Sequence, residues 1–430
     1  MTRTDAAAGG AAGGKAVLER VEANFERQVE FLSRLVQERS VRGNERGVQD
    51  VIAGELQRLG LSVELYDLDL EQLRAHRAYS PLEGDYADRP NLAATLPGAG
   101  GGRSLLFQSH VDVVPVTPER FWTRDPWAGE VADGRMYGRG AADMKSGLSA
   151  MIFAVRALRE AGVELAGDLH LDTVIEEECT GNGALSSLLR GRRADAAIIP
   201  EPFGQTLLVA QVGVMWVRIT VEGAGAHVLG ADQQGAVNAI AKARVVLAAI
   251  EELERQANEA GGRPAPFGTV PHPLNYSVGT LHAGDWPSTV PSECVLEVRF
   301  SAFPGEDLAE VRARFEAGVL AACEEDAWLR THPPRFDYIG FNAEGFVLDR
   351  SAPVLESLEA AHVAVTGTEL EPFVSTATTD ARFYNLYFGI PATCYGPIGG
   401  NLHAPDEWVD LASVLNTTRV LALTALDWCG

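Results

Sequence analysis

The spacing of hydrophobic residues over the first 200 positions alternates between a helical and an extended period. Apolar residues recur every three or four positions in 17–39 and in 45–59, so both segments are predicted to be amphipathic helices. Short apolar runs bounded by Gly, Pro and polar residues predict strands, at 61–68, 91–97, 105–112, 168–178 and 196–202. Strands that alternate with helices are typical of an open α/β sheet with its functional site along the strand ends.

The pattern changes near residue 211. Residues 214–223 alternate apolar and polar side chains, as a one-sided antiparallel strand does, and further segments follow in the order β-α-β-β-α-β. This order predicts a small sheet with helices on one face, inserted into the first domain. We therefore expect a disordered N-terminal tail over 1–16 and a first domain in two parts, 17–211 and 344–430. The inserted domain is expected over 212–343.

Length and charge narrow the class of protein. The chain has 430 residues, more than a single core usually accommodates, which also favours two domains. Its 36 basic and 59 acidic residues give a formal net charge of −23, which argues against nucleic acid and membrane surfaces as partners. The five cysteines form neither a zinc pattern nor a disulfide framework, so a cytoplasmic location is expected.

Acidic residues and histidines collect where the predicted strands end. His110 and Asp112 lie two positions apart at one strand end and therefore point to the same side of the sheet. Asp143 follows a glycine-lined turn, and further candidates are Glu177, Glu178, Glu201 and His403. If three of the carboxylates converge with the two imidazoles, they would repel one another unless divalent cations are bound. Two such cations and one bridging hydroxide would leave the cluster neutral.

Several of these residues also have a structural explanation. A lone histidine such as His110 is more commonly a hydrogen-bonded core residue than a ligand, and Asp143 stands where a helix N-cap would. Glu201, between two prolines, is compatible with bracing a turn. Which of Glu177 and Glu178 acts as base and which as ligand depends on the register of their turn.

Six motifs occur together along the chain: SHVDVVP, DGRMYGRGAADMKSGL, EEECTGNG, PEP, GAGAH and HAPDEWV. In local sequence and order they resemble the M20 metallopeptidase family, which includes acetylornithine deacetylase and succinyl-diaminopimelate desuccinylase. The resemblance implies a zinc-peptidase-like catalytic domain with a mostly parallel, mixed sheet flanked by helices. It also implies that 212–343 is an inserted α+β lid and dimerisation domain, with an antiparallel sheet and two helices, called the lid domain below.

The resemblance implies a centre of two Zn²⁺ ions per subunit, for which Co²⁺ or Mn²⁺ can substitute. Asp143 would bridge the two ions. One ion would be held by His110 and Glu201, and the other by Glu178 and His403. The peptide bond after the bridging aspartate is implied to be cis.

Further roles are carried over by position in the motifs. Asp112 would orient a histidine ligand through its second ring nitrogen, and Glu177 would be the general base. His227 of the lid domain would reach an active site, commonly that of the partner subunit in a homodimer, and stabilise the oxyanion. Substrate-binding positions are implied at Asn275, Arg299, Thr379, Asp380 and Arg382.

Together these observations predict a metal-dependent hydrolase of C–N bonds. We expect an amidohydrolase that removes an acyl, carbamoyl or formyl group from the nitrogen of a small molecule, by attack of a metal-bridging hydroxide. A dipeptidase or carboxypeptidase of the same family is the alternative. A catalytically inactive binding relative ranks lower, because every position expected for metal and base holds a competent residue.

Overall fold

The computed structural model describes residues 3–259 and 261–430, with side chains from residue 13 onward. Its helices are α1 (Arg3–Ala23), α2 (Phe25–Gln37), α3 (Arg46–Arg58), α4 (Leu70–Ala75), α5 (Lys145–Glu160), α6 (Asn182–Leu189), α7 (Ala239–Glu259), α8 (Leu308–Cys323), α9 (Val354–Thr366), α10 (Ala381–Phe383) and α11 (Leu411–Cys429).

The strands of the first half are β1 (Val63–Tyr66), β2 (Asn91–Leu96), β3 (Leu105–His110), β4 (Glu130–Ala132), β5 (Arg135–Tyr137), β6 (Leu169–Val174), β7 (Ala196–Ile199), β8 (Leu207–Gln211), β9 (Gly213–Glu222) and β10 (Ala226–His227). Those that follow are β11 (Ser277–Ala283), β12 (Thr289–Val290), β13 (Glu293–Ala302), β14 (Arg335–Ala343), β15 (Phe346–Val347), β16 (Pro372–Ser375), β17 (Ala392–Cys394), β18 (Gly399–Gly400) and β19 (Trp408–Asp410).

The main sheet has six strands in the order β1-β2-β6-β3-β7-β17. Strand β3 runs parallel to β6 and β7, and β7 runs parallel to β17, whereas β2 is antiparallel to both of its neighbours. The parallel strands bring the carboxyl ends of β3, β6 and β7 to one edge. The predicted α/β class with a mixed sheet is therefore confirmed.

Helix α5 is the central helix of the main domain. Its residues are buried from Lys145 to Leu158, around the whole circumference, as expected for a helix enclosed by other elements. It contacts β3 on one side and α1, α2 and α11 on others. Since α5 begins two residues after Asp143, this packing fixes the end of the chain segment that carries Asp143.

The lid domain contains a separate antiparallel sheet in the order β11-β13-β9-β14. Helices α7 and α8 pack together, and their apolar residues share one buried cluster with those of β9 and β13. A sheet with helices forming its own core is what the β-α-β-β-α-β order predicts. Strand β9 begins at Gly213 and β14 ends at Ala343, but the domain bounds themselves stay a prediction.

The N-terminal segment differs from its prediction as a disordered tail over residues 1–16. Residues 1 and 2 lie outside the described residues, and the structure places Arg3–Ala23 in helix α1. Alanine has the highest helix propensity, and the end of this helix is anchored because Val17 and Val21 are buried in the main core. Residues 1–16 themselves are rich in alanine and glycine and lack an apolar period, and the anchor lies just beyond them.

Within the described part of the chain, none of the helices combines the length and the hydropathy that crossing a bilayer requires.

Candidate metal centre

Three neighbouring strands of the main sheet supply the first part of the site. His110 is the last residue of β3, and Glu178 and Glu201 follow the ends of β6 and β7. Because β3 is parallel to both other strands, these three residues emerge at the same edge.

Two loops complete the site. The Asp143 loop (residues 138–143) follows β5, and the His403 loop (residues 401–407) connects β18 to β19. Strands β5 and β19 pair with Trp408 opposite Tyr137, so both loops leave one small sheet side by side. The peptide bond Asp143–Met144 is cis, as the resemblance implies.

The structure brings the five expected ligands together. His110 Nε2 lies 3.1 Å from Asp143 Oδ1 and 3.9 Å from Glu201 Oε1. His403 Nε2 lies 3.1 Å from Glu178 Oε2 and 3.5 Å from Asp143 Oδ2. Each histidine therefore faces a different oxygen of Asp143. A donor atom from each of His110, Asp143 and Glu178 lies within 4.8 Å of the others, so this group has the geometry to hold a metal ion.

The charges of the cluster depend strongly on one another. Burial disfavours the charged ring of His110, but its hydrogen bond to Asp143 and the charge of Glu201 raise its pKa well above the ordinary value. The negative charge of Glu178 raises the pKa of His403 to about 11. Burial, with Asp143 nearby, raises the pKa of Glu201 despite the opposing effect of His110. These shifts indicate a buried excess of negative charge, which attracts cations.

Asp112 contacts the second ring nitrogen of His110 chiefly through its backbone oxygen. The nearest partner of His110 Nδ1 is the backbone oxygen of Asp112 at 2.9 Å, whereas the carboxylate Oδ1 lies 3.7 Å away. The carboxylate instead accepts the backbone N–H groups of Glu177 at 3.2 Å and Glu178 at 3.1 Å. Asp112 therefore fixes both the ring orientation and the turn that carries the two glutamates.

Glu177 is buried at the same strand end, with 7% of its surface exposed. Burial raises its pKa well above the usual range, and the charges of Asp380, Glu201 and Glu178 act in the same direction while His110 opposes them. A carboxyl group whose pKa is raised by burial retains a proton more readily than one in water, which suits proton transfer.

The lid residues with predicted roles do not join the cluster in this structure. His227 is exposed on β10, and its Nδ1 accepts the backbone N–H of Leu229 at 3.0 Å. Among the described residues, neither this bond nor its pairing with Thr289 involves a residue of the cluster. A role at the site would require His227 to approach by lid movement or from another subunit.

Arg299 connects the lid domain to the main domain. Its guanidinium donates to the backbone oxygen of Asn275 at 2.9 Å and to that of Thr376, in the main domain, at 2.7 Å. Burial lowers the pKa of Arg299 to about 10, and the charge of Glu254 acts in the opposite direction.

Thr379, Asp380 and Arg382 are buried. Thr379 Oγ1 donates to Gln211 Oε1 at 2.7 Å, and Asp380 Oδ2 accepts from Gln108 Nε2 at 2.9 Å. Arg382 donates to the backbone oxygen of Thr379 at 2.9 Å. These bonds hold the residues within the protein interior, and their contact with substrate stays a prediction.

Two buried charged residues beside the ligand loops were given no role from the sequence. Glu407 accepts the backbone N–H groups of Ala142 and Asp143, both at 3.0 Å. Lys145 Nζ donates to the backbone oxygens of Leu35 and Glu38, both at 2.8 Å, and burial lowers its pKa to about 7. The only signal in the sequence was that each is a charged residue close to a predicted ligand.

A mixed sheet with acids and histidines at its strand ends, joined to an α+β lid domain, is the arrangement of a metallohydrolase. Residues 106–427 match the model of peptidase family M20/M25/M40. The chain belongs to this family, which confirms both the resemblance and the prediction of a hydrolase.

Curated relatives include enzymes with two activities. The chain is 30% identical over 408 residues to N-formyl-4-amino-5-aminomethyl-2-methylpyrimidine deformylase of Bacillus subtilis, covering 90% of each chain. It is 32% identical over 400 residues to succinyl-diaminopimelate desuccinylase of Methylobacterium radiotolerans, covering 89% of this chain and 91% of the relative.

Solved structures show the same fold at lower identity. Human carnosine dipeptidase 1 superposes with a TM-score of 0.77 at 16% identity, over 97% of this chain and 99% of that one. A dinuclear metal-binding peptidase of the M20 family from Bacillus subtilis superposes with a TM-score of 0.60 at 15% identity, over 95% and 99%.

Proposed function

We propose that the protein is a dinuclear metal-dependent amidohydrolase that removes an acyl group from the nitrogen of a small molecule. The observation that carries this proposal is the position of Asp143, whose two carboxylate oxygens face His110 and His403 separately. The deformylase and the desuccinylase among the relatives both remove an acyl group, as their names state. A formyl or succinyl group is therefore the first choice for this chain.

The donor set fits two zinc ions. Three carboxylates and two imidazoles are ligands that zinc accepts, and the buried negative charge requires a counter-charge. Asp143 would serve both ions, His110 and Glu201 one, and Glu178 and His403 the other. Bound zinc would polarise the substrate carbonyl and lower the pKa of water to roughly 7. Co²⁺ and Mn²⁺ are expected to substitute.

The side chains around the donor set would move the proton. Glu177 would accept the proton of the attacking water on a carboxylate oxygen and then donate it to the leaving nitrogen. Asp112 would keep Glu177 in place by accepting its backbone N–H. Burial of Glu177 supports this role because a raised pKa brings the carboxyl group nearer to neutral pH.

The lid domain would complete the site. We propose that His227 donates a hydrogen bond to the developing oxyanion after the lid closes or from the partner subunit of a homodimer. Asn275, Arg299, Thr379, Asp380 and Arg382 are proposed to contact or position the substrate. A cytoplasmic location is proposed because the cysteines of the described chain are free and buried.

The test is hydrolysis by the purified full chain, treated with EDTA and then reconstituted with Zn²⁺, Co²⁺ or Mn²⁺. The panel contains N-formyl, N-acetyl, N-succinyl and N-carbamoyl amines together with dipeptides. We expect close to two ions per subunit by elemental analysis and turnover of an N-acyl amine that EDTA abolishes. Turnover of dipeptides alone would favour the peptidase alternative, and absence of both metal and turnover would overturn the proposal.

A further inference from the structure

Glu407 joins the two loops that carry Asp143 and His403. It is fully buried at the end of the His403 loop, and its carboxylate accepts four hydrogen bonds from the Asp143 loop. Oε1 accepts the N–H groups of Ala142 and Asp143. Oε2 accepts the N–H of Gly140 at 3.1 Å and the guanidinium of Arg139 at 2.5 Å. Both oxygens are thus saturated by donors from one loop.

The Asp143 loop has little freedom to move away from this carboxylate. Gly140 has a φ of +79°, and a Cβ there would lie 2.6 Å from Val113 Cγ1, so the loop passes close to its neighbour. The guanidinium of Arg139 is buried over the ring of Trp122, 5.2 Å from its centroid. The loop is therefore restricted by Val113 and by Trp122, and Glu407 accepts the hydrogen bonds of the residues between.

The His403 loop needs such an anchor because its backbone is unfavourable. Asn401, His403 and Asp406 have φ values of 56°, 60° and 56°, a left-handed region that costs energy for residues other than glycine, although Asn, Asp and His adopt it more often than the rest. Asp406 accepts the backbone N–H and the hydroxyl of Thr123 at 2.9 and 2.8 Å. With Glu407 next to it in sequence, the loop has two adjacent carboxylates that hold it in this conformation.

We propose that Glu407, together with Arg139, is a positioning residue that sets the separation between Asp143 and His403. This inference rests on the proposed function, since it assigns Glu407 to the geometry of the metal centre. Glu407 does not face the donor atoms itself. It acts on Asp143 by accepting the Asp143 backbone N–H. It acts on His403 through the short stretch of chain between His403 and Glu407.

The test is the Glu407→Gln variant of the full chain. Glutamine keeps the size of the side chain but places an NH₂ group opposite N–H donors, so at least one bond is replaced by a repulsive contact. We expect the affinity for the more weakly held zinc ion, measured by competition with a chelator, to fall about 10- to 100-fold. In addition, kcat should fall with little change in KM, and the visible spectrum of the Co²⁺-loaded protein should change.

The control is Glu55→Gln, which disrupts another buried ion pair, between Glu55 and Arg156 at 2.6 Å in the interface of α3 and α5. It should lower the midpoint of thermal unfolding but leave zinc affinity and the Co²⁺ spectrum as in the wild type. If Glu407→Gln does not fold, Arg139→Lys serves the same test, because it keeps the charge but loses the planar guanidinium.

Wild-type zinc affinity and Co²⁺ spectrum in folded Glu407→Gln or Arg139→Lys would overturn the positioning role while leaving the proposed function intact. A wild-type chain that binds no metal would overturn both.

Discussion

Glu177 and Glu178 are adjacent in sequence, yet their surroundings differ. Glu178 lies 3.1 Å from His403, whereas the pKa of Glu177 is raised chiefly by burial, and its backbone is held by Asp112. Adjacent residues in a turn point in different directions, so one can face the donor cluster while the other faces the substrate side. The two glutamates are thus suited to different tasks.

This difference predicts opposite effects of two matched variants. Glu177→Gln should lower kcat by about 10²- to 10⁴-fold, the usual contribution of a general base, with the metal content unchanged. Glu178→Gln should instead lower the metal content, because a ligand is lost. Elemental analysis and initial rates on the same preparations provide the measurement. Full activity of Glu177→Gln, or loss of metal from it, would contradict the assignment of the base.

His170 makes the stability of the folded protein depend on pH, independently of the candidate metal centre. It lies on β6 with its Nδ1 2.9 Å from Thr95 Oγ1, and burial, followed by the charge of Arg192, lowers its pKa. The unfolded chain, with a histidine pKa of about 6.5, therefore binds a proton at a higher pH than the folded chain does. The stability contributed by neutral His170 is complete above that pH and declines as the pH falls towards the lower, folded-state value.

Accordingly, the stability advantage of the wild type over His170→Gln should be smaller at pH 5.5 than at pH 8. Urea denaturation of both proteins in EDTA measures it, since chelation removes any contribution from metal loss. An advantage that is equal or larger at pH 5.5 would show that His170 is not held neutral by its surroundings.

Helix α5 packs closely against a ligand-bearing segment. Gly147 lies against the backbone of Pro200, and a Cβ at this position would lie 1.9 Å from the Pro200 oxygen. Since Glu201 is the next residue, any group added to α5 here must displace the strand end that carries this proposed ligand.

We therefore expect Gly147→Ala to destabilise the protein by about 1–3 kcal/mol, the range for overpacked cores, and to weaken metal binding. Gly54→Ala in α3 is the matched control, because its Cβ would meet only Arg58, at 3.7 Å. That variant should be neutral or more stable, by up to about 1 kcal/mol, since alanine favours helices. Chemical denaturation and zinc titration of both variants are the measurements, and equal behaviour of the two would contradict the role of this contact.

The secondary-structure elements also differ in how well the sequence predicts them. Strands β3, β6 and β7 were predictable because runs of apolar residues are local signals, and the acids at their ends followed from them. Glu407 was not predictable in the same way, since its partners are backbone N–H groups more than 260 positions away. Such contacts depend on the pairing of β5 with β19, which leaves no periodic pattern in either segment.

At the scale of the whole molecule, the lid domain and the main domain contact each other through polar groups and through one small apolar cluster, in which Ala210 and Val374 of the main domain pack with lid residues. Arg299 bonds to Thr376 of the main domain, Arg218 of the lid domain pairs with Glu83, and Asn342 bonds to Ser80. Polar contacts of this kind resemble those of transient interfaces, which permit relative movement of domains. The proposed approach of His227 to an active site is compatible with such an interface.

Mixing two strongly impaired variants distinguishes whether His227 acts within its own subunit or on the partner's site. His227→Ala should lower kcat by about 10²- to 10³-fold, as expected for loss of an oxyanion donor, and Glu177→Gln by about 10²- to 10⁴-fold for lack of the base. If the lid of one subunit serves the site of the other, a mixed dimer contains one site with both an intact Glu177 and an intact His227. Activity should then reappear after the variants are unfolded and refolded together.

The control mixes His227→Ala with a chain that carries both substitutions, where neither arrangement yields a complete site. Recovery in the first mixture and not in the control would support action across a dimer, because only a subunit with an intact lid histidine can supply what the other lacks. Light scattering establishes whether the protein is dimeric. In a dimeric protein, a rate of the first mixture equal to the sum of the rates of the two separate variants would contradict action across the dimer. His227 would then have to reach its own site by closure of the lid, which the polar contacts between the domains also allow.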